Sequence, residues 1–261
     1  MILRRFSEAL KQQNWAAIAI EFVLLVLGVF LGIQVANWNE ARLEEQRARG
    51  FLERLSGDLD QELASIDKRV AYVGRSIAYG EAALEWVESG TFADGSAWQT
   101  VLAFVQASRI LPYSPVDSTY QEMRSAGELG LVRDASLRTA LTEYFVSGTY
   151  ARADYILRLN PEYRRHVRGL TPYRIGRHIA TECFDMAVVT HKPCASPVDE
   201  AAASDVLRRY AEDPTLVAEL TYWLDSAHQK IEILGQLRVT CVELRQRIDA
   251  ELGRSPRKDI Q

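Results

Sequence analysis

The chain is poor in the residues that interrupt helices. It has 8 Pro and 15 Gly among 261 residues, and no Pro occurs before Pro112. Long stretches rich in Ala, Leu, Glu and Arg fill the sequence, and this composition favours a mostly helical protein. Low-complexity tracts and repeats at solenoid periods are absent, so the sequence gives no indication of a repeat array.

An excess of positive charge is also missing. The formal net charge is -4, with 25% charged residues, which is ordinary for a soluble surface and argues against nucleic acid as the main partner. The mean hydropathy is -0.15, which indicates that most of the chain lies outside a membrane. We therefore expect an aqueous domain with any membrane-embedded part confined to a short stretch.

Cysteine and histidine are scarce, with 3 Cys and 4 His. Cys183 and Cys194 flank a loop-like segment and are predicted to form a disulfide in an oxidising compartment, with pairing to Cys241 as the alternative. Cys241 itself is expected to be a small buried hydrophobic residue. His178 and His191 lie close in sequence to these cysteines and are candidate metal ligands.

The motifs expected of a catalytic metal site are absent. Neither CxxC nor HExxH occurs, and the His and Cys spacings match no standard zinc module. No general base or oxyanion device accompanies either Cys183 or Cys194. The sequence therefore assigns no catalytic residue, no metal and no cofactor.

One long apolar run stands near the N-terminus. Between Trp15 and Ala36 the only charged residue is Glu21. As a helix this run is about 33 Å long, which matches a hydrocarbon core of about 30 Å. Trp15 and Trp38 bracket it, as interfacial indoles do. A signal peptide would be shorter and end in a small-x-small site, so we predict an uncleaved transmembrane helix over residues 15–38.

The predicted topology follows from this signal anchor. Basic residues flank the run on both sides, so their number alone does not orient it. A short N-terminal segment is followed by a large domain that can be translocated whatever its charge. We expect a cytoplasmic stub at 1–14, a helical periplasmic domain at 39–253, a flexible tail at 254–261, and a bacterial inner membrane as the location.

Glu21 shares one helical face with the glycines of the run. Gly28 and Gly32 form a GxxxG pair, which allows two helix backbones to approach closely. A protonated Glu21 on that face could hydrogen-bond across a helix pair, so these three residues are the predicted association site with a second copy or a partner membrane protein. Alternatively, Glu21 reaches the interface and the glycines occur by chance.

Two long amphipathic helices are predicted after the span. Apolar residues recur at steps of three or four from Leu52 to Ile77, in a heptad-like rhythm typical of coiled coils, so the first helix is expected to continue to about Ser89. Asp213-Pro214 starts a second such helix, which Gly253 closes. Their matching stripes predict an antiparallel pair inside an all-α bundle.

Shorter helices are expected between these two. Trp98 to Ser108 is predicted to be helical, and Asp134 is expected to cap a helix reaching about Leu159. The tetrapeptide SPVD occurs at Ser114 and again at Ser196, and each Ser-Pro is expected to open a helix.

A basic stretch with interleaved tyrosines is the candidate anion-binding site. Glu162 is the only acid between Arg158 and Arg177, and the stretch could receive an anionic ligand, acidic lipid headgroups or an acidic partner. The alternative is that these arginines pair with acids of neighbouring helices. The candidate residues are Arg164, Arg165, Arg168, Arg174 and Arg177.

The anchor resembles an uncharacterised family of bacterial single-pass membrane proteins. The family's anchor has an early Glu, an aliphatic run with Gly, then Gln and a terminal Asn-Trp-Asn-Glu. The segment Thr119–Phe145 is also similar to the family's middle part. The resemblance implies the topology above and brings no known activity. The matching anchor positions are Glu21, Gly28, Gln34, Asn37, Trp38, Asn39 and Glu40.

Three functional hypotheses follow. The first is an envelope scaffold or accessory subunit that acts through protein–protein contacts, with the lipid bilayer and a second copy or membrane partner as its contacts. The second is a periplasmic sensor of an anionic ligand. The third, which the missing motifs disfavour, is a metal-assisted enzyme.

Overall fold

A computed structural model describes residues 15–148, 160–185 and 188–254. These residues are mostly helical, in agreement with the composition. Their contacts divide them into two units, one ending at Phe51 and one beginning at Leu52. The predicted stub at 1–14 and residues 255–261 of the predicted tail lie outside the described residues.

The first unit contains the apolar part of helix α1 (Trp15–Ser89). An 18-residue window of it has a mean hydropathy of 2.4, and none of that window is buried. The Arg42 guanidinium lies 6.0 Å from the centre of the Trp38 ring at the end of this stretch. By length and composition this part of α1 can cross a membrane once, which is compatible with a single-pass membrane protein.

The second unit contains the remaining elements. A two-residue hairpin pairs β1 with β2 in antiparallel register, with Phe184 opposite His191. Short 3₁₀ turns occupy Ala93–Gly95 and Glu128–Leu131, and a π-helical turn occupies Glu143–Ser147. The further helices and strands are α2 (Ala97–Ala107), α3 (Ser118–Ala126), α4 (Ala135–Thr142), α5 (Glu162–Leu170), α6 (Tyr173–Thr181), β1 (Phe184–Asp185), β2 (Thr190–His191), α7 (Glu200–Ala211) and α8 (Pro214–Glu251).

Within the second unit, the later part of α1 and helix α8 lie antiparallel. Their apolar stripes are buried, and Leu59 and Leu234 have no exposed surface. Ion pairs join the two helices in opposite sequence order, which fixes the direction of the pair: His228 with Glu81 at 3.8 Å, Arg238 with Asp67 at 2.9 Å, and Arg245 with Asp60 at 2.9 Å. The predicted continuation of α1 to Ser89 is confirmed.

Helix α2 is the most deeply buried element. All its residues except Gln99 are buried, because apolar and small side chains occupy every side of it. Tyr163 of α5 donates its hydroxyl to the Phe104 carbonyl at 2.7 Å, and Trp223 of α8 donates its indole N–H to the Ala107 carbonyl at 2.7 Å. These bonds fix α5 and α8 against α2.

Local capping explains several helix boundaries. Asp134 accepts a bond from Ser136 N at 2.7 Å, and Asp213 accepts one from Thr215 N at 3.0 Å. Both are N-caps, as predicted. Gly253 follows α8 with a φ of 70°, a left-handed conformation that favours glycine.

The two SPVD segments do not start helices at their Ser-Pro. Helix α3 begins later, at Ser118, where Asp58 of α1 accepts a bond from Thr119 N at 3.0 Å. Helix α7 begins at Glu200 and is capped by Asp199, which accepts a bond from Ala202 N at 2.8 Å. In both cases a nearby carboxylate satisfies the first free N–H groups, so the prediction was wrong by three residues or more.

The described residues include the first residue of the predicted tail. Arg254 donates its backbone N–H to the Asp249 carbonyl at 2.8 Å. Its guanidinium lies 3.5 Å from the Glu53 carboxylate of α1. Arg254 therefore contacts both α8 and α1.

Candidate functional site

The predicted anion-binding arginines do not form one site. Arg165 is 86% exposed and pairs with Glu162 at 2.7 Å, while Arg174 and Arg177 of α6 are exposed. Only Arg164 and Arg168 are partly buried and turn toward α2. Arg158, which begins the basic stretch in the sequence, lies outside the described residues.

These two arginines belong to a larger set whose members are far apart in the sequence. Its members come from α1, α5 and α8 and from the segment that follows α2. Among the described residues, no carboxylate forms an ion pair with any of them. We call this set the basic cluster: Arg69, Arg109, Arg164, Arg168 and Lys230.

Two members bind the C-terminal end of α2. Arg164 Nη1 donates to the Ser108 carbonyl at 3.0 Å, and Arg168 Nε donates to the Ser108 hydroxyl at 3.3 Å. Free carbonyls and the helix dipole favour cations at this end of a helix. Arg168 Nη2 is nevertheless buried without an acceptor in the described part of the chain. These two arginines therefore have a structural role and leave positive charge uncompensated.

Arg109 lies between α2 and the hairpin. Its guanidinium is 3.8 Å from the centre of the Phe184 ring, and it donates to the Gln106 side chain and, at 3.3 Å, to the Ile179 carbonyl. All these partners are neutral. Burial lowers its pKa to about 10, and repulsion from Arg168 and Arg164 acts in the same direction.

Lys230 is the most isolated cation of the cluster. Only 4% of its surface is exposed, and its Nζ lies 4.0 Å from the centre of the Trp223 ring. Within the described ranges this ammonium has no hydrogen-bond acceptor and no carboxylate partner. Burial alone lowers its pKa to about 8. A lysine with so little exposed surface is rarely found in proteins without an acidic partner.

Arg69 lines a small cavity together with Lys230 and Arg109. Its Nη1 donates to the Leu111 carbonyl at 3.3 Å and to the Pro112 carbonyl, while its Nε is buried without an acceptor among the residues described. The cavity has a volume of about 20 Å³. Its apolar and aromatic walls include Tyr72 and Trp223.

The nearest acid to Arg69 does not neutralise the cluster. Glu62 acts on Arg69 only through its field, while its carboxylate accepts bonds from the Tyr113 hydroxyl and, at 3.1 Å, from Val116 N. Burial raises the pKa of Glu62, with these bonds acting in the opposite direction. Glu62 therefore offsets part of the Arg69 charge without forming an ion pair with it.

A disulfide-closed hairpin lies beside Arg109. The Cys183 and Cys194 sulfurs are bonded to each other, and the Cys183 carbonyl accepts a bond from Gln106 Nε2 at 3.0 Å. His191 of the hairpin stacks on Tyr72 with 5.3 Å between ring centres. Burial lowers the pKa of His191 to about 4, so its ring is neutral near pH 7 and adds no charge to the cluster.

The metal-ligand candidates are placed differently. Ligand atoms of His178, Cys183 and Cys194 lie within 4.8 Å of one another. Because the two sulfurs form a disulfide, they offer no thiolate, and His178 Nε2 lies 2.9 Å from the Ala195 carbonyl. His191 does not belong to this group. Cys241 is the buried free cysteine, with its Sγ 3.7 Å from the Leu59 carbonyl.

The predicted association face of the span is fully exposed. Glu21, Gly28 and Gly32 all lie on the exposed apolar part of α1. A Cβ added at either glycine would meet no atom within 4 Å. The face therefore has room for a second helix, and association through it stays a prediction.

Two missed members of the cluster carried a signal in the sequence. Lys230 follows Ala227 by three residues and precedes Leu234 by four, so it lies on the apolar stripe of α8. Arg69 has the same relation to Ile66 and Val73 on α1. A cation in the middle of a buried stripe is the pattern that could have identified both.

A comparison with known protein families assigns the chain to one of them. The model of a family of unknown function, DUF6090, matches residues 21–166, which is more than half of the sequence. The chain belongs to this family. The DUF6090 match begins at Glu21 and includes Arg69, Arg109 and Arg164, whereas Arg168 and Lys230 lie beyond it. No curated protein and no solved structure matches the chain.

Proposed function

We propose that this protein is a single-pass membrane protein whose aqueous helical bundle binds an anionic ligand at the basic cluster. The observation that carries the proposal is Lys230, a cation that is 4% exposed and has no acidic partner in the described structure. An unpaired buried charge costs several kcal/mol, and an anion bound nearby would offset that cost. Buried groups with strongly shifted pKa values concentrate at functional sites.

The proposed location is the inner membrane of a bacterium, with the N-terminus in the cytoplasm and the bundle in the periplasm. The Cys183–Cys194 disulfide supports this, because disulfides persist in the oxidising periplasm and are rare in the cytosol. A C-terminal fusion to a reporter that is active on only one side of the membrane tests it. Activity of a cytoplasm-only reporter would reverse the proposed orientation.

The ligand-binding role is tested with the full chain purified in detergent. Unfolding temperatures are measured with a panel of inorganic and organic anions at equal ionic strength, so that screening of surface charges is constant. We expect at least one anion to raise the unfolding temperature of the wild type and of Arg177→Met, which removes an exposed arginine, but not of Lys230→Met. The absence of any response would overturn the proposal.

A scaffold acting through protein–protein contacts is the second candidate. The exposed face that carries Glu21, Gly28 and Gly32 favours it, since small residues and a polar group on one face suit helix association in a membrane. Crosslinking in membranes should capture a dimer or a partner that the pair Glu21→Leu with Gly28→Leu abolishes. The control pair Val23→Leu with Phe30→Leu changes the opposite face and should leave the crosslink intact.

A further inference from the structure

The cavity shared by three members of the basic cluster restricts what can occupy it. Arg69, Arg109 and Lys230 line it together with mainly apolar and aromatic groups, and its volume is about 20 Å³. A space of that size holds roughly one water-sized group, whereas sites for organic ligands have volumes of roughly 300–1,000 Å³. An organic acid or a nucleotide does not fit there.

The donors around the cavity are left with unused hydrogen-bonding capacity. Lys230 has three N–H groups and no acceptor among the residues described. Only 4% of its surface is exposed. Arg69, which is 9% exposed, has a buried Nε without an acceptor. A single small acceptor between them would satisfy donors from α1 and α8 together.

Charge favours an anion over a water molecule in this space. Three cations meet at the cavity, and the carboxylate of Glu62, the acid whose field acts on Arg69, is bound to Tyr113 and Val116 N. Water can accept a hydrogen bond from Lys230 but carries no charge to offset that of the ammonium. An anion both accepts the bonds and neutralises the charge in surroundings of low dielectric constant.

We infer that the cavity lined by Arg69, Arg109 and Lys230 binds a monatomic inorganic anion, a halide. This inference rests on the proposed function and narrows its ligand to one chemical class. Lys230 supplies the principal donor, since its ammonium has no competing acceptor. The anion joins α1 and α8 to the segment that follows α2, and so ties ligand binding to the packing of the domain.

The experiment measures unfolding temperature and binding heat for the full chain in detergent, in a sodium gluconate buffer of constant ionic strength. One arm replaces gluconate with chloride or bromide, a second with phosphate or sulfate, and a third with succinate or citrate. We expect saturable binding in the first arm, with a rise in unfolding temperature of about 5 °C or more at a hundredfold excess over the dissociation constant. The second arm uses oxyanions that are larger than the cavity, so binding in that arm alone would contradict the size argument.

Variants separate this site from other causes of stabilisation. Lys230→Met keeps a long apolar side chain without the charge, and Lys230→Gln is the second variant if the first fails to fold. Both should lose the response, while Arg177→Met should bind as the wild type does. An unchanged response in a folded Lys230 variant would overturn the site.

The outcomes also separate the two proposals. A response in the oxyanion arm or the organic arm without one in the halide arm overturns the inference about the ligand class but leaves the proposed anion-binding function standing. The absence of a response in all three arms overturns both. A response to a halide that Lys230→Met or Lys230→Gln abolishes supports both.

Discussion

Lys230 Nζ lies 4.0 Å from the centre of the Trp223 ring, and the same indole donates its N–H to the carbonyl of Ala107 at the end of α2. The ring is thus held by a hydrogen bond at its edge while its face receives the cation. This arrangement positions a charge in the interior without an acid to pair with it. It also couples the protonation of Lys230 to the stability of the domain.

The stability of the ligand-free wild type should rise with pH between about 8 and 10.5. The folded pKa of Lys230 is about 8 and its ordinary value is 10.5, so the unfolded chain binds more protons in this window and folding gains stability as pH increases. The full difference corresponds to roughly 3 kcal/mol.

Urea unfolding in gluconate buffer at several pH values measures this effect, since guanidinium chloride would add an anion. Lys230→Met should be more stable than the wild type at pH 7, and the advantage should shrink toward pH 10.5. A difference between the two proteins that stays constant with pH would contradict the role of Lys230 protonation.

Gly80 marks a close contact between α1 and α8. A Cβ at this position would lie 2.4 Å from Leu224 Cδ2, so Gly80→Ala forces Leu224 to move. We expect a loss of roughly 1–3 kcal/mol in unfolding free energy. Gly74→Ala, on the same helix with no atom within 4 Å, should instead stabilise by roughly 0.5–1 kcal/mol.

A double-mutant cycle in urea checks the cause. Leu224→Ala removes the obstructing methyl groups, so the cost of Gly80→Ala should largely disappear in that background. Additive effects of the two substitutions would show that the close contact is not the reason for the loss.

Arg245 and Arg238 test how burial changes the value of an ion pair. Arg245 is 1% exposed and is bonded to Asp60 at 2.9 Å and to Asp249, whose side chain is 5% exposed. Arg245→Met leaves the Asp249 charge buried without this partner, and we expect a loss of roughly 3–5 kcal/mol. Arg238→Met breaks an exposed pair with Asp67 and should cost less than about 1 kcal/mol.

Urea unfolding of both variants at pH 7 gives the comparison. A further measurement at low pH, where carboxylates are protonated, should reduce the difference between Arg245→Met and the wild type. Equal losses for the two variants would contradict the dominance of desolvation.

Local chemistry allowed much of the helical pattern to be predicted. Local residues set several helix ends, because the caps Asp134 and Asp213 and the terminating Gly253 act on neighbouring backbone groups. Such ends can be predicted from the residues next to them in the sequence. The start of α3 could not be found this way. Its free N–H groups are satisfied by Asp58, a residue of another helix, and only tertiary packing brings the two together.

The candidate site could likewise be predicted only in part from the sequence. Arg164 and Arg168 were selected because they are close in sequence, yet Arg165 between them is exposed since it lies on the outer face of α5. Arg109 and Lys230 are far apart in sequence and meet only through the packing of α2 and α8. The sequence pattern can identify Lys230 as a charged residue on an apolar stripe, but it cannot identify the residues that surround Lys230 in the folded domain.

The disulfide should stabilise the domain through its short loop. Cys183 and Cys194 are separated by 11 residues, and closing a loop of that length restricts the unfolded chain by up to about 3 kcal/mol. Urea unfolding with and without a reductant should show a loss of that order, and Cys183→Ser with Cys194→Ser should show the same loss without reductant.

Thiol counting provides an independent check of the pairing. Since Cys241 is free and buried, the protein isolated from membranes and denatured without reductant should have one reactive thiol per chain, and three after reduction. Cys241→Ala should lower the first count to zero and leave the effect of the reductant on stability unchanged. Three reactive thiols before reduction would mean that the cysteines are reduced in the cell, and this would also remove the support that the disulfide gives to a periplasmic location.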